Sequence, residues 1–313
     1  MNIFKNSISI VTISLSCISL TLQANASEEN YQTQEAETAS TSTNNKRPLT
    51  EKSTVDTQEL LDFLQQQGQE VDEVSNEIID QLTLEAEQGD PIAQNNLAWI
   101  YENGLGVEQD YSSALQWYRL SAEQGTAGAQ ENLALMHYYG RGISTNFSEA
   151  SEWFKLAAEQ GLIKSQEYLG SMYFLGEGVE QNYAEAAKWH TLAAEQGSRG
   201  AQYSIAHMYH QGLGVEQNFE TAAAWYSQAA SQGDRYALSS LSSLYGQGLG
   251  VDKNIVLAYV YASLAAKLGD EIGAENRNFA ASLLNSDQIA EGDLMAESWQ
   301  EGTQLPTKTS TWP

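Results

Sequence analysis

The chain has 313 residues, with 15 Lys and Arg against 41 Asp and Glu, a formal charge of −26 and a pI near 4.3. Such acidity argues against nucleic acid, whose phosphates need neutralising by Lys and Arg, and against an anionic membrane surface. It favours partners that are basic or neutral, and a hydrophobic content of 42% is enough for a core.

Residues 1–26 have the three parts of a secretory signal. Lys5 gives a positive start, Ile8 to Leu22 form an apolar stretch softened by serines, and Ala24-Asn25-Ala26 is a small-x-small cleavage pattern. The stretch is short for a spanning helix, which needs about 18–20 apolar residues. Cys17 follows Ser14-Leu15-Ser16, a poor lipobox, so cleaved export to the periplasm or beyond is the expectation. Cleavage after Ala26 leaves no cysteine, hence no disulfide and no thiolate metal site. Residues 27–56 are rich in Ser, Thr, Glu, Gln and Asn and have too little to bury, so a disordered linker is expected.

Two helices are predicted within 57–89, the first in Thr57–Gln67 and the second from about Asp72 to Gln88. The second closes on Ala86-Glu87-Gln88-Gly89, a signature that returns downstream, so the pair reads as a degenerate N-terminal capping repeat.

From Asp90 to Gly269 the sequence repeats every 36 residues. Trp117, Trp153, Trp189 and Trp225 share one register, with Tyr261 fifth; Gly125, Gly161, Gly197, Gly233 and Gly269 share another. Gly104/Gly106 returns as Gly140/Gly142, Gly176/Gly178, Gly212/Gly214 and Gly248/Gly250. Each unit reads as helix, turn, helix. Ile92, Ala93, Leu97, Ile100 and Tyr101 give the first helix its apolar face, and the paired glycines end it. Asp110, Asn146, Asn182, Asn218 and Asn254 precede the second helix as N-caps, with Glu149 and Glu185 placed for capping boxes. Alanines at 114 and 122 and their relatives allow close helix approach, and the register tryptophans are expected to fill the space between units.

The run A-x-x-x-L-A/G-x-x-Y, G-x-G-V, Asx-aromatic, A-x-x-W and A-A-E-Q-G resembles the Sel-1-like repeat, a relative of the tetratricopeptide repeat. The second repeat departs most, with His137 for the helix-one Tyr and Ile143-Ser144-Thr145 for Val-Glu-Gln. The resemblance implies an all-α, right-handed α/α solenoid of about five 36-residue helix-turn-helix repeats, 90–269, with helical caps. The C-terminal cap is predicted over 270–300, with Ser286 capping a last helix from Asp287 to about Trp299, followed by a frayed tail over 301–313.

Chemical constellations are few. His207 and His210 share a helix face but lack a third metal ligand. The Gly-x-Gly turns join helices and stand beside Glu108, Glu180, Glu216 and Asp252, which would repel phosphate. Ser239, Ser240, Ser242 and Ser243 crowd one helix with no Ser-x-x-Lys. No cofactor, metal or catalytic set is expected. By analogy with the tetratricopeptide groove, helix-one positions 95, 99, 102, 103 and their relatives face a concave surface. They bring Trp99, Tyr138, Tyr139, Phe174, Tyr203, His207 and His210 together as candidate partner-binding residues; packing against the neighbouring repeat is the alternative. The resemblance implies a non-catalytic protein or peptide-binding scaffold of the bacterial envelope. Its alternative is cell-wall binding or β-lactamase-like activity, by analogy with cysteine-rich Sel-1-like proteins described as penicillin-binding, whose disulfide cysteines this chain lacks.

Overall fold

Helix boundaries follow from where the sequence supplies caps and left-handed residues. The computed structural model describes residues 73–307. The expected signal (1–26), linker (27–56), first capping helix (57–67) and the end of the tail lie outside the described residues. α1 (Glu73–Glu87) precedes five helix pairs. These are α2 (Pro91–Asn103) with α3 (Tyr111–Glu123), α4 (Ala127–Tyr139) with α5 (Phe147–Glu159), α6 (Ile163–Leu175) with α7 (Tyr183–Glu195), α8 (Arg199–Gln211) with α9 (Phe219–Ser231), and α10 (Arg235–Gln247) with α11 (Ile255–Lys267). α12 (Glu271–Ala281) and α13 (Ser286–Ser298) follow. Among the described residues there is no strand, and each helix from α1 to α11 packs on the next: an all-α solenoid. No described helix is long and apolar enough to cross a membrane.

The two glycines of each turn have separate tasks. Gly212 sits at φ +73° and its N–H reaches the Met208 carbonyl, so it ends α8 in the left-handed region. Gly214, at φ +68°, lies against the previous repeat: a Cβ there would stand 2.2 Å from the Tyr183 carbonyl. The second glycine therefore sets the spacing between repeats.

The N-caps fall where expected. Asp110 accepts from the Ser112 and Ser113 amides, and Asn182 from those of Ala184 and Glu185. The capping boxes at Glu149 and Glu185 do not form. Glu149 instead accepts from the Trp153 indole at 3.2 Å, and Glu185 pairs with Lys188 at 3.3 Å, because both turn forward along the helix. α13 starts one residue earlier than predicted, with Asn285 as its cap in a reciprocal box with Gln288.

Each helix one buries two apolar residues three apart: Leu97/Ile100, Leu133/Met136, Leu169/Met172, Ile205/Met208 and Leu241/Leu244. On helix two the register tryptophans are not the most buried aromatics. Trp117, Trp153 and Trp225 are half-buried, whereas the next residues, Tyr118, Phe154 and Tyr226, are fully buried. At that register repeat three has His190, whose imidazole lies against Gly170, where the other repeats have Ala98, Ala134, Ala206 and Ser242. A Cβ on Gly170 would come within 2.8 Å of the ring.

The C-terminal end closes by packing α13 on α11, with the Tyr259 hydroxyl donating to Asp293 at 2.7 Å. The described start of the tail is held rather than frayed. The Gly302 N–H donates to the Ser231 carbonyl and the Tyr261 hydroxyl to the Pro306 carbonyl, with Leu305 buried between them.

Candidate partner-binding surface

The seven sequence candidates separate into buried and available residues. Phe174 is buried edge-on to Tyr183, with ring centroids 5.1 Å apart. Tyr203 and His207 are buried and stacked on one another at 6.3 Å, and Tyr203 also lies near Tyr226 and Tyr236. These three side chains have almost no surface for a partner to touch. The Phe174–Tyr183 and Tyr203–His207 contacts lie within one repeat, and the Tyr203–Tyr236 contact crosses to the next, as the packing alternative requires. Trp99 and His210 are half-buried. Trp99 packs against the cores of the first two repeats, and His210 lies edge-on to Phe219 at 5.4 Å.

Tyr138 and Tyr139 are different. Tyr138 is the hub of an aromatic cluster, edge-on to Tyr139 (5.2 Å), Phe147 (5.1 Å) and Tyr168 (5.2 Å). Its hydroxyl donates to Glu177 at 3.1 Å. Phe154 stacks flat on Tyr168 beneath it at 4.7 Å. Tyr139 is 42% exposed, and its hydroxyl meets that of Tyr168 at 2.5 Å. Burial pushes the Tyr168 hydroxyl far above its ordinary pKa, so it stays protonated and able to donate.

Three residues that the sequence reading did not single out set up this surface: Arg141 on it, and Glu102 and the buried Tyr168 beneath it. The Arg141 guanidinium lies 5.3 Å over the Tyr139 ring and donates to Glu102 at 2.8 Å. The other Glu102 oxygen accepts from the Tyr118 hydroxyl at 2.8 Å. A carboxylate held from beneath thus fixes an arginine on an exposed aromatic, a cation–π pair with its geometry set in advance. The signal that finds these residues is departure from the repeat. Arg141 stands where repeats one, four and five have Leu105, Leu213 and Leu249; Tyr168 stands where Asn96, Asn132, Ser204 and Ser240 stand.

The remaining polar groups serve structure. Ser239 donates to Asp270, Ser243 to the Ser239 carbonyl, and Ser165 to Glu131. Burial raises the pKa of Glu167, which accepts from Ser198, and of Asp234, which caps α10. Among the described residues no group of three or more His, Cys, Asp or Glu side chains is placed to hold a metal ion.

Comparison with known proteins agrees with this architecture. The Sel1 repeat model matches 91–126, 127–162, 163–198, 200–234 and 235–270, together more than half of the chain. A protective antigen present in uropathogenic Escherichia coli strains, with an SLR fold, is 38% identical over 62% of this chain, with a TM-score of 0.59. This chain spans 42% of the length of that protein. A Sel1 repeat protein from Oxalobacter formigenes is 34% identical, covering 63% of this chain and 87% of its own, with a TM-score of 0.55. No curated protein matches the sequence. Sel1 repeats generally bind proteins. The chain belongs to the Sel1 repeat family.

Proposed function

We propose that this chain is a non-catalytic interaction scaffold of the bacterial cell envelope, binding a protein partner on its helix-one face through the Tyr138–Tyr139–Arg141 surface, which the buried Tyr168 supports from beneath. The observation that carries this reading is Arg141, which Glu102 holds over the exposed Tyr139 ring. Tyr and Arg dominate binding hot spots, and a pre-set pair loses little side-chain freedom when a partner arrives. The formal charge of −26 favours a partner that is basic or neutral. Export rests on the signal pattern of residues 1–26, and the protective-antigen description of the E. coli relative is consistent with a protein reached from outside the cell.

The test is a crosslinking capture from envelope extract with the full chain and its Tyr139→Ala/Arg141→Ala variant. The reading expects a partner captured by the first and lost by the second, with helicity unchanged. Equal capture by both would reject this surface. Labelling of the chain by a fluorescent penicillin, or turnover of a chromogenic β-lactam, would reject the non-catalytic assignment.

A further inference from the structure

The C-terminal segment shows how the helix-two side of this solenoid takes a non-helical chain. It makes a turn in which the Thr303 N–H donates to the Gln300 carbonyl at 3.1 Å, followed by irregular chain to residue 307. At α9 and α11, the Gly302 N–H donates to the Ser231 carbonyl at 2.8 Å, and the Tyr261 hydroxyl donates to the Pro306 carbonyl at 2.6 Å. Leu305, between these contacts, is 7% exposed, and the Glu301 side chain lies across Gly233.

Two repeat periods earlier, a groove of about 1060 Å³ runs between α5 and α7. Four of its lining residues occupy the registers found around the tail's seat. Glu159 corresponds to Ser231, Gly161 to Gly233, Trp189 to Tyr261 and Leu192 to Leu264. Where the chain's own cap and tail lie, Leu264 is 1% exposed; in the earlier groove Leu192 is 37% exposed.

The aromatic donor of the earlier groove is also unused. Trp189 is 5% exposed, and its buried Nε1 has no acceptor. In the repeat before, the Trp153 indole donates to Glu149 at 3.2 Å. The corresponding Glu185 is drawn to Lys188 at 3.3 Å, and Lys188 in turn lies 5.0 Å over the Trp189 ring. An unpaired buried donor favours any ligand that brings it an acceptor.

We infer that the groove between α5 and α7 is a second docking site, for a peptide segment of a partner protein that turns and then runs on as Gly302–Pro306 does, and that is uncharged from its glycine onward. A main-chain carbonyl of the segment accepts from Trp189 Nε1, as the Pro306 carbonyl accepts from Tyr261. A main-chain N–H donates to the Glu159 carbonyl at the end of α5, as Gly302 does to Ser231. A leucine-class side chain covers Leu192 and Val179, and Lys188 swings off the indole to admit the chain. The rim carries both signs, Lys155 and Lys188 with Glu159, Glu180 and Glu185, which suits a neutral backbone better than a charged one. This site lies on the helix-two side and stands independently of the Tyr139–Arg141 surface.

The probe is a labelled octapeptide with the sequence of residues 300–307, Gln-Glu-Gly-Thr-Gln-Leu-Pro-Thr, titrated into the full chain by fluorescence anisotropy and followed through the indole N–H resonances. The expected result is saturable binding that shifts the indole resonance absent from the Trp189→Phe variant. That variant, which keeps the ring and loses the donor, should bind about fivefold more weakly. Leu192→Glu, at an exposed position, should weaken binding about tenfold with helicity retained, and so should Leu305→Ala in the peptide. Tyr139→Ala/Arg141→Ala should leave the titration unchanged. Absence of saturable binding overturns the inference. So does binding indifferent to both Trp189→Phe and Leu192→Glu, which would mean that the peptide exchanges with the chain's own tail instead.

Discussion

The side-chain amide of Gln124 donates to the Gln94 carbonyl oxygen at 2.8 Å, and Gln94 donates in turn to the Ala86 main-chain carbonyl at 3.0 Å. The relay recurs as Gln160 to Gln130, Gln196 to Gln166 and Gln232 to Gln202, each at 2.8 Å. Gln130, Gln166 and Gln202 reach the carbonyls of Ala122, Ala158 and Ala194 in the preceding helix. Buried glutamines thus link consecutive repeats through otherwise apolar contacts. In the fifth repeat both members of the pair are leucine, Leu238 and Leu268. The pair changes as a unit because a buried amide that loses its partner costs more than two apolar groups in its place.

Gln130→Leu alone should therefore destabilise the chain by about 1–2 kcal/mol, since it takes an acceptor from Gln160 and a donor from Ala122. Adding Gln160→Leu should recover part of that loss, imitating the fifth repeat. Urea unfolding of the two single variants and the double variant closes the cycle. Strictly additive costs would mean that the relay contributes nothing as a pair.

The turn glycines predict two different penalties. Gly197 has φ +91° and nothing within 4 Å of an added Cβ, so Gly197→Ala should cost only left-handed strain, about 1 kcal/mol. Gly214→Ala adds a Cβ at 2.2 Å from the Tyr183 backbone and should cost about 3 kcal/mol or more. Equal shifts in thermal midpoint would refute the division of labour within the Gly-x-Gly pair.

Helix-two truncations should follow the burial seen in the structure rather than the prominence of tryptophan in the sequence. Phe154→Ala should cost about 3–5 kcal/mol, and the half-buried Trp153→Ala clearly less. Chemical denaturation of both variants in one background decides the order; a larger cost at Trp153 would contradict the packing.

That comparison marks where the sequence is legible. Asn182 before an apolar run and Gly212 after one specify helix ends through local hydrogen bonding and φ, so the repeat and its boundaries can be read directly. Which of two adjacent aromatics is buried depends on a rotation of about 100° per residue about the helix axis, and Trp153 and Phe154 are equally apolar candidates. The same rotation buries Tyr203 and His207 while Tyr139 reaches solvent. Arg141 escapes a motif search because the motif records what repeats, and its contact with Glu102 crosses from one repeat to the next. The hold on the tail is equally non-local, joining Pro306 to Tyr261 and Gly302 to Ser231.

Acid should weaken the solenoid through its buried histidines. Burial lowers the pKa of His190 to about 3; burial, helped by nearby His210, lowers that of His207 to about 4. An unfolded histidine titrates near 6.5, so between pH 6.5 and about 4 the unfolded chain binds protons that the folded chain refuses. The stability from keeping these rings neutral is complete above pH 6.5. It falls with acidification by about 1.4 kcal/mol per pH unit for each ring until the folded pKa is reached. Glu167 and Asp234, whose pKa values burial raises, act in the opposite sense: protonation favours the fold as the pH drops through their own range. The window of these carboxyls runs from their raised folded values down to the unfolded value of about 4, so they offset part of the histidine loss. His137 and His210, whose pKa values burial also lowers, add to it. Between pH 7 and pH 5, His190 and His207 together should contribute a loss of about 4 kcal/mol to the unfolding free energy. His190→Phe, which restores the aromatic of the second repeat at that register, should remove about half of that contribution. A slope unchanged by His190→Phe would place the acid sensitivity elsewhere in the chain.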